Sequence, residues 1–358
     1  MKFLRFLYPR FSFLKKYRWA VVLYITMIWP VVDLLIMVTR NNPANYNTLE
    51  ALSLRLLVVL FLSFGMGYLI VFKLKKVLRN KSFGLSLVVR SLILIVAAFI
   101  MNFLTETAHA IIITRLDLIG ALRFFYYEAF QAFWLVNKLF FWLILFLITQ
   151  LIIEINEKYA PGVFRDILLG KYVQPKVENR IVMFIDLKDS TPIAEKLGTI
   201  MYFKFIRDFI YHVSNAINEY GGRIYQYVGD EVVASWMFDQ QNTRICMSAL
   251  IEARKNLQKH SEDFRRRYGI IPEFRVGIHC GEVTVGEIGV IKKDLAMSGD
   301  TMNTTARIRS ACSELNQKFI VSKAFRDNIN LEEWQSTSLG LIELKGKGNG
   351  IELFALKI

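Results

Sequence analysis

The sequence predicts an α+β protein in two halves, a helical four-span membrane domain followed by a ferredoxin-like βαββαβ domain. Three observations carry this. The first 155 residues hold four apolar stretches of about 20 residues, enough to cross a bilayer. From residue 180 onward, strand and helix periodicities alternate over one ordinary domain length. Two aspartates, Asp186 and Asp230, each close an apolar, strand-like run.

Composition agrees. The chain is 54% hydrophobic, with a mean hydropathy of +0.33, which is high for a soluble protein. Residues 1–155 carry 17 Lys/Arg and 6 Asp/Glu, a net +11, whereas residues 156–358 carry 28 and 25, a net +3. The basic excess therefore belongs to the apolar half, where it reads as membrane topology beside lipid. The second half has no basic stripe, so no nucleic-acid partner is expected. Cys246, Cys280 and Cys312 form no CxxC pair and suggest a reducing compartment.

The expected spans are Trp19–Val38, Leu52–Phe72, Leu85–Leu104 and Phe133–Ile153, in a membrane domain over 1–155. Lys2, Arg5, Arg10, Lys15, Lys16 and Arg18 precede the first span. Lys73, Lys75, Lys76, Arg79 and Lys81 separate the second from the third. Positive segments stay inside, which places both termini in the cytoplasm of a multi-pass cell-membrane protein. Thr105–Ala132 becomes the longest outside segment, read as a connector, an interfacial helix or a sensing cap. Arg55, Arg90 and Lys138 lie near span ends, where long side chains snorkel. Asp33, after Pro30 in the first span, has no such escape.

Residues 156–179 form a linker. Ala160-Pro-Gly breaks the fourth helix, and Val163–Leu169 reads as a short amphipathic helix, either a transducer or a tether.

Within 180–358, the expected elements are a strand at 180–186, a helix at 199–220 and a hairpin of 223–228 with 231–237. A long helix over 242–268 follows, then strands at 273–279 and 282–288 and a helix at 301–313. Further strands fall near 318–321, 341–345 and 351–356. This layout sets Asp186 at the end of the first strand, beside Asp230 in the hairpin turn. Paired carboxylates suit hard divalent cations that also bind substrate phosphates. Asp189 is expected to cap the next helix, and Glu231 to face away from Asp230 by strand alternation. The segment Leu187-Lys-Asp-Ser190-Thr191-Pro enters that helix with backbone N–H groups free for triphosphate oxygens. Asn303 and Arg307, four apart, share a helix face, a neutral donor beside a fixed cation that suits an oxyanion.

Together these pieces resemble the class III nucleotidyl cyclases, the adenylate/guanylate cyclase catalytic domain of membrane-anchored bacterial type. The residues that carry the resemblance are Asp186, Gly229-Asp230, Phe274-Arg-Val-Gly-Ile-His-Cys-Gly281, Gly286-Glu-Ile-Gly289, Gly299-Asp-Thr-Met-Asn-Thr-Thr-Ala-Arg307 and Lys345-Gly-Lys-Gly348. The resemblance implies that Asp186 and Asp230 bind two Mg²⁺ (or Mn²⁺) ions per site. It implies that Asn303 orients the ribose, that Arg307 stabilises the transition-state phosphate, and that Arg275 and Lys345 touch phosphate. It also implies a head-to-tail homodimer, with metal residues from one chain and the Asn/Arg pair from the other. Gln226 stands where the family has an adenine-selecting lysine, and Ala296 where its partner stands. ATP is the expected substrate, since the guanylate-type acidic residue is missing. The expected product is cyclic AMP. A guanylate or dual-specificity cyclase and a catalytically dead receptor are the alternatives. A diguanylate cyclase would need a different turn from Val228-Gly-Asp-Glu-Val232.

Overall fold

The computed structural model describes residues 13–39, 49–74, 77–78, 81–131, 134–159, 163–291, 293–329, 336–344, 347 and 350–358. The chain separates into two compact units, one over Lys15–Pro161 and another containing Gly162–Ile358. The Ala160-Pro-Gly helix break falls outside the described residues.

The first unit consists of helices α1 (Phe13–Thr39), α2 (Leu49–Tyr68, continued as a π-helical turn over Leu69–Leu74), α3 (Phe83–Ile112), α4 (Leu118–Gln131) and α5 (Trp134–Tyr159). Four stretches, Phe13–Leu35, Leu49–Leu74, Gly84–Ile112 and Lys138–Asn156, are long and apolar enough to cross a membrane. Large apolar side chains such as Leu57, Phe61 and Leu92 face outward, while Asp33, Arg55, Glu106 and Lys138 face inward. Arg55 grips Asp33 with two bonds of 2.6 and 2.9 Å. It also lies 3.5 Å from Glu106, which in turn lies 3.4 Å from Lys138. All four are buried. Arg90 donates to Gln150 at 2.9 Å.

Two expectations are corrected here. Arg55 and Lys138 do not snorkel, because partnered carboxylates inside the bundle offer a better place for their charges. The segment after residue 104 is not an irregular connector, for α3 runs on to Ile112 and a further helix, α4, follows. Asn102, Thr105, Glu106 and His109 are all buried. Their i, i+3, i+4, i+7 spacing makes them one inward polar stripe, so hydropathy falls while the helix continues.

The second unit opens with the short helix α6 (Val163–Leu168). Then come β1 (Lys176–Leu187), α7 (Ser190–Glu219), β2 (Arg223–Val228), β3 (Glu231–Met237), α8 (Gln240–Lys259), α9 (Ser261–Tyr268) and β4 (Phe274–Ile288). The order ends with β5 (Asp294–Ser298), α10 (Asp300–Glu314), β6 (Phe319–Ser322), α11 (Lys323–Arg326), β7 (Ser336–Ile342) and β8 (Ile351–Leu356). The sheet runs β2-β3-β1-β4-β6-β8-β7, with β5 on β4. Along β1, Ile181, Met183 and Ile185 pack into a core with Phe205, Phe209 and Val213 of α7. Val182 and Phe184 face the other side, with Met302 of α10. Asp186 continues that second set.

The expected helix over 242–268 is two helices that meet at His260. The two strands expected at 273–288 are one, paired with β1 from Lys176↔Val285 to Leu187↔Phe274. Gly281 does not turn the chain. It and Gly277 let α10 approach instead. A Cβ on Gly277 would stand 2.4 Å from the Arg309 backbone nitrogen, and one on Gly281 would stand 2.7 Å from Thr301 Oγ1.

Two measurements test these contacts. Asp33→Leu removes the carboxylate that holds buried Arg55 with two bonds and is expected to cost about 3–5 kcal/mol in denaturant titration of the detergent-solubilised chain. Asp33→Leu with Arg55→Met leaves the Glu106–Lys138 pair neutral and should cost markedly less. A double variant as unstable as the single one rules out charge pairing as the cause. Gly277→Ala forces α10 off the sheet and should cost about 1–3 kcal/mol, read as a lower unfolding midpoint. An unchanged midpoint contradicts the close contact.

Candidate active site

The β1–β4 register sets Asp186 opposite Arg275, and the β1–β3 register ends at Ile185↔Val232, one step before Asp186 and Glu231. Asp230 occupies the turn between β2 and β3, after Gly229 with φ 61°. Such a φ is cheap for glycine and costly for most other residues. These placements bring Asp186, Asp230 and Glu231 to one end of the sheet.

Burial pushes the Asp186 carboxyl above its ordinary range, with Asp230 adding to the push and Arg309 and Arg275 opposing it. Glu231 is raised in the same way, by burial first, against the pull of Arg309. Asp230 Oδ2 is buried and has no hydrogen-bond partner. An orphaned carboxylate oxygen beside a second carboxylate fits a divalent cation. Among the described residues no three His, Cys, Asp or Glu side chains form a ready-made metal-ligand group. Two carboxylates suffice for an ion that takes its other ligands from water and phosphate.

Glu231 does not face away from Asp230 as alternation suggested. Asp230 belongs to the turn rather than the strand, so the period of two does not link them. Asp189 sits at the N-cap position of α7 but makes no side-chain cap bond, because its backbone is left-handed at φ 57°, ψ 38°. Its carboxylate lies 3.9 Å from Arg275 instead. The Leu187 side chain is buried in the core, which leaves only its backbone for a ligand. Ser190 opens α7 near Tyr202, whose hydroxyl is raised by burial and by the Asp230 charge. Thr191 is exposed in the first turn of α7. Lys345 lies outside the described residues.

Gln226 is exposed on β2, beside a register shift that falls between Ile224 and Gln226. Ala296 pairs with Gly286 on β5. The neighbouring Tyr225 hydroxyl donates to the Met297 carbonyl at 3.5 Å, so the two segments meet. Asn303 is exposed on α10 and Arg307 half-buried. The side chain that α10 sends to Asp186 is Arg309, at 3.4 Å from Oδ2. Residues 307 and 309 lie about 200° apart around a helix. Asn303 and Arg307 therefore point away from the carboxylates of their own chain.

Arg309 escaped the sequence reading. The available signal was its place seven residues after Met302, on the inward stripe of α10, where a charge needs a partner.

Comparison with known proteins supplies the family. The model of the adenylate and guanylate cyclase catalytic domain matches residues 172–357, more than half the chain. Adenylate cyclase 2 of Rhizobium meliloti is 29% identical over 207 residues, covering 57% of this chain and 57% of that protein. The receptor-type guanylate cyclase gcy-23 of Caenorhabditis elegans is 27% identical over 207 residues, 56% of this chain and 18% of the relative. This chain thus spans about half the length of the bacterial curated relatives it matches. The solved structure of a bacterial light-regulated adenylyl cyclase shares the fold, with a TM-score of 0.51 and 22% identity over 61% of this chain and 64% of that one. By the extent of the family match, the chain belongs to the adenylate and guanylate cyclase catalytic domain family.

Proposed function

We propose that the protein is a membrane-anchored adenylate cyclase that acts as a homodimer with two sites and converts ATP to 3′,5′-cyclic AMP and pyrophosphate. The observation that carries this reading is the split on α10. The carboxylates gather at the sheet end, while Asn303 and Arg307 occupy the outward side of the helix. A second copy, docked head to tail, would present its Asn303 and Arg307 to Asp186 and Asp230.

Asp186 and Asp230 would hold two Mg²⁺ or Mn²⁺ ions, which would supply Lewis acidity and triphosphate binding there. Around them the chain's own residues position the nucleotide. Arg275 brings a cation to the phosphate side of Asp186, joined by Lys345 on the resemblance to the family. Backbone N–H groups of Leu187, Ser190 and Thr191 would lie toward the triphosphate at the start of α7, the Lys188 N–H being taken by the Glu273 carbonyl. Asn303 orients the ribose so that its 3′ oxygen lies in line with the α-phosphorus. The 3′-O–Pα bond forms, the bond from Pα to the α,β-bridging oxygen breaks so that pyrophosphate leaves with that oxygen, and the 3′ proton passes to solvent water. Arg307 meets the negative charge that develops on the α-phosphoryl oxygens. Since the attack is intramolecular, positioning supplies much of the rate.

Gln226 and Ala296 would face the base. A glutamine amide matches the donor and acceptor of adenine's N6/N1 edge, and Ala296 brings no acidic group that would select guanine. The second reading, a guanylate cyclase, draws on the same amide turned over and on the similarity to gcy-23. The four apolar helices would anchor the chain, and the positive segments would hold both termini and the catalytic domain in the cytoplasm, where ATP is found.

The test is cyclic-nucleotide synthesis by the full chain with Mn²⁺, given ATP and GTP separately. Cyclic AMP is expected in excess. Cyclic GMP in excess overturns the substrate assignment, and no product from either overturns the enzyme. Asp186→Ala and Arg307→Ala should each lose about 10²-fold or more in rate, a typical loss for one charge-stabilising group. Mixed, the two should recover part of it, because one of the two sites is then intact. Dimers that fail to recover contradict shared sites.

A further inference from the structure

Arg309 has no role in the reading above, yet it is the group that holds the carboxylates together. Its Nη2 lies 2.6 Å from Glu231 Oε2, and its Nη1 3.4 Å from Asp186 Oδ2. Asp230 acts through space on both carboxylates. All of these groups are at least half-buried, so their mutual repulsion is poorly screened by water. Two guanidiniums, Arg309 and the Arg275 opposite Asp186, among three carboxylates leave a deficit of positive charge, and Asp230 Oδ2 is one of the buried atoms left without a hydrogen-bond partner.

We propose that Arg309 is a resident counter-cation, standing in for divalent metal at the carboxylates of the free chain and competing with it. The inference rests on reading Asp186 and Asp230 as metal ligands. Its two contacts differ in the way such a role requires. The short contact to Glu231 anchors the side chain, while the long contact to Asp186 yields first. A metal ion taking Asp186 would displace Arg309 from that oxygen and leave the Glu231 pair in place. Glu231 is thereby a positioning residue, keeping the displaced guanidinium near the site. An arginine has the rotatable stem for this shift, and its planar fork lets it bridge two carboxylates. The fixed approach of α10 to Gly277 supplies a constant base from which the side chain swings.

The test is Mn²⁺ binding to the full chain in detergent without nucleotide, read from the electron paramagnetic resonance signal of free Mn²⁺. Arg309→Met removes the competitor and should tighten Mn²⁺ binding about tenfold or more, whereas a purely structural arginine would leave it unchanged or weaker. Should Arg309→Met not fold, Arg309→Lys keeps the charge without the two-pronged bridge and should tighten binding by a smaller factor. Unchanged or weaker binding in the folded variant overturns the proposal. Asp230→Ala separates the two readings. If it abolishes Mn²⁺ binding while the Arg309 variant fails to tighten it, the ligand assignment stands and the counter-cation falls. If Asp230→Ala binds Mn²⁺ as well as the parent chain, the ligand assignment itself falls, and the counter-cation with it.

Discussion

Where β4 lacks a side chain at Gly277, the backbone of α10 lies directly against the sheet. The chemistry of the second unit depends on this contact, because it fixes how α10 is rotated. Thr301 holds the same helix at its start, donating to the Glu282 carbonyl at 2.7 Å above Gly281. With both points set, Arg309 must face the end of β1 and Asn303 and Arg307 must face outward. A methyl group at Gly277 would therefore disturb an arrangement of charges, not merely a packed surface. Backbone contact is a stiffer reference than contact through side chains, which adapt by changing rotamer.

The first unit solves the opposite problem. Its outer surface is apolar, and its inner stripe holds Asp33, Arg55, Glu106 and Lys138. Charges buried between helices are tolerable only in a neutral, hydrogen-bonded set. Among the described residues, two acids and two bases come together in this way. They tie α1, α2, α3 and α5 together with directional contacts, where apolar packing alone would leave helix rotation loosely specified.

Much of this was legible in the sequence because it follows from period and length. The four spans, the hairpin around Gly229-Asp230 and the joining of Asp186 with Asp230 come from hydropathy and alternation. The failures share one cause. The expected strands 273–279 and 282–288 part at Cys280-Gly281, where β4 runs straight through and Gly281 admits a neighbouring helix. Hydropathy falls after Leu104, so the expected span stops short of Glu106 and His109, which α3 carries inward. Alternation would set Glu231 on the face opposite Asp230 only if both lay in one strand, and Asp230 lies in the turn before β3. In each case a local signal was decided by a tertiary partner that the sequence does not mark. Arg309 is the same case in the site itself, for nothing near it in sequence names Asp186 or Glu231.

The four charges of the bundle also bear on how such a chain can change over time. Any single neutral replacement among Asp33, Arg55, Glu106 and Lys138 takes a charged partner from a buried neighbour. Drift at these positions must then proceed by compensated exchange, two at once or through a disfavoured intermediate. The outward apolar residues, each replaceable by another of similar bulk, face no such barrier. Descendants of this protein should vary freely on the surface of the bundle and inherit its centre as a block.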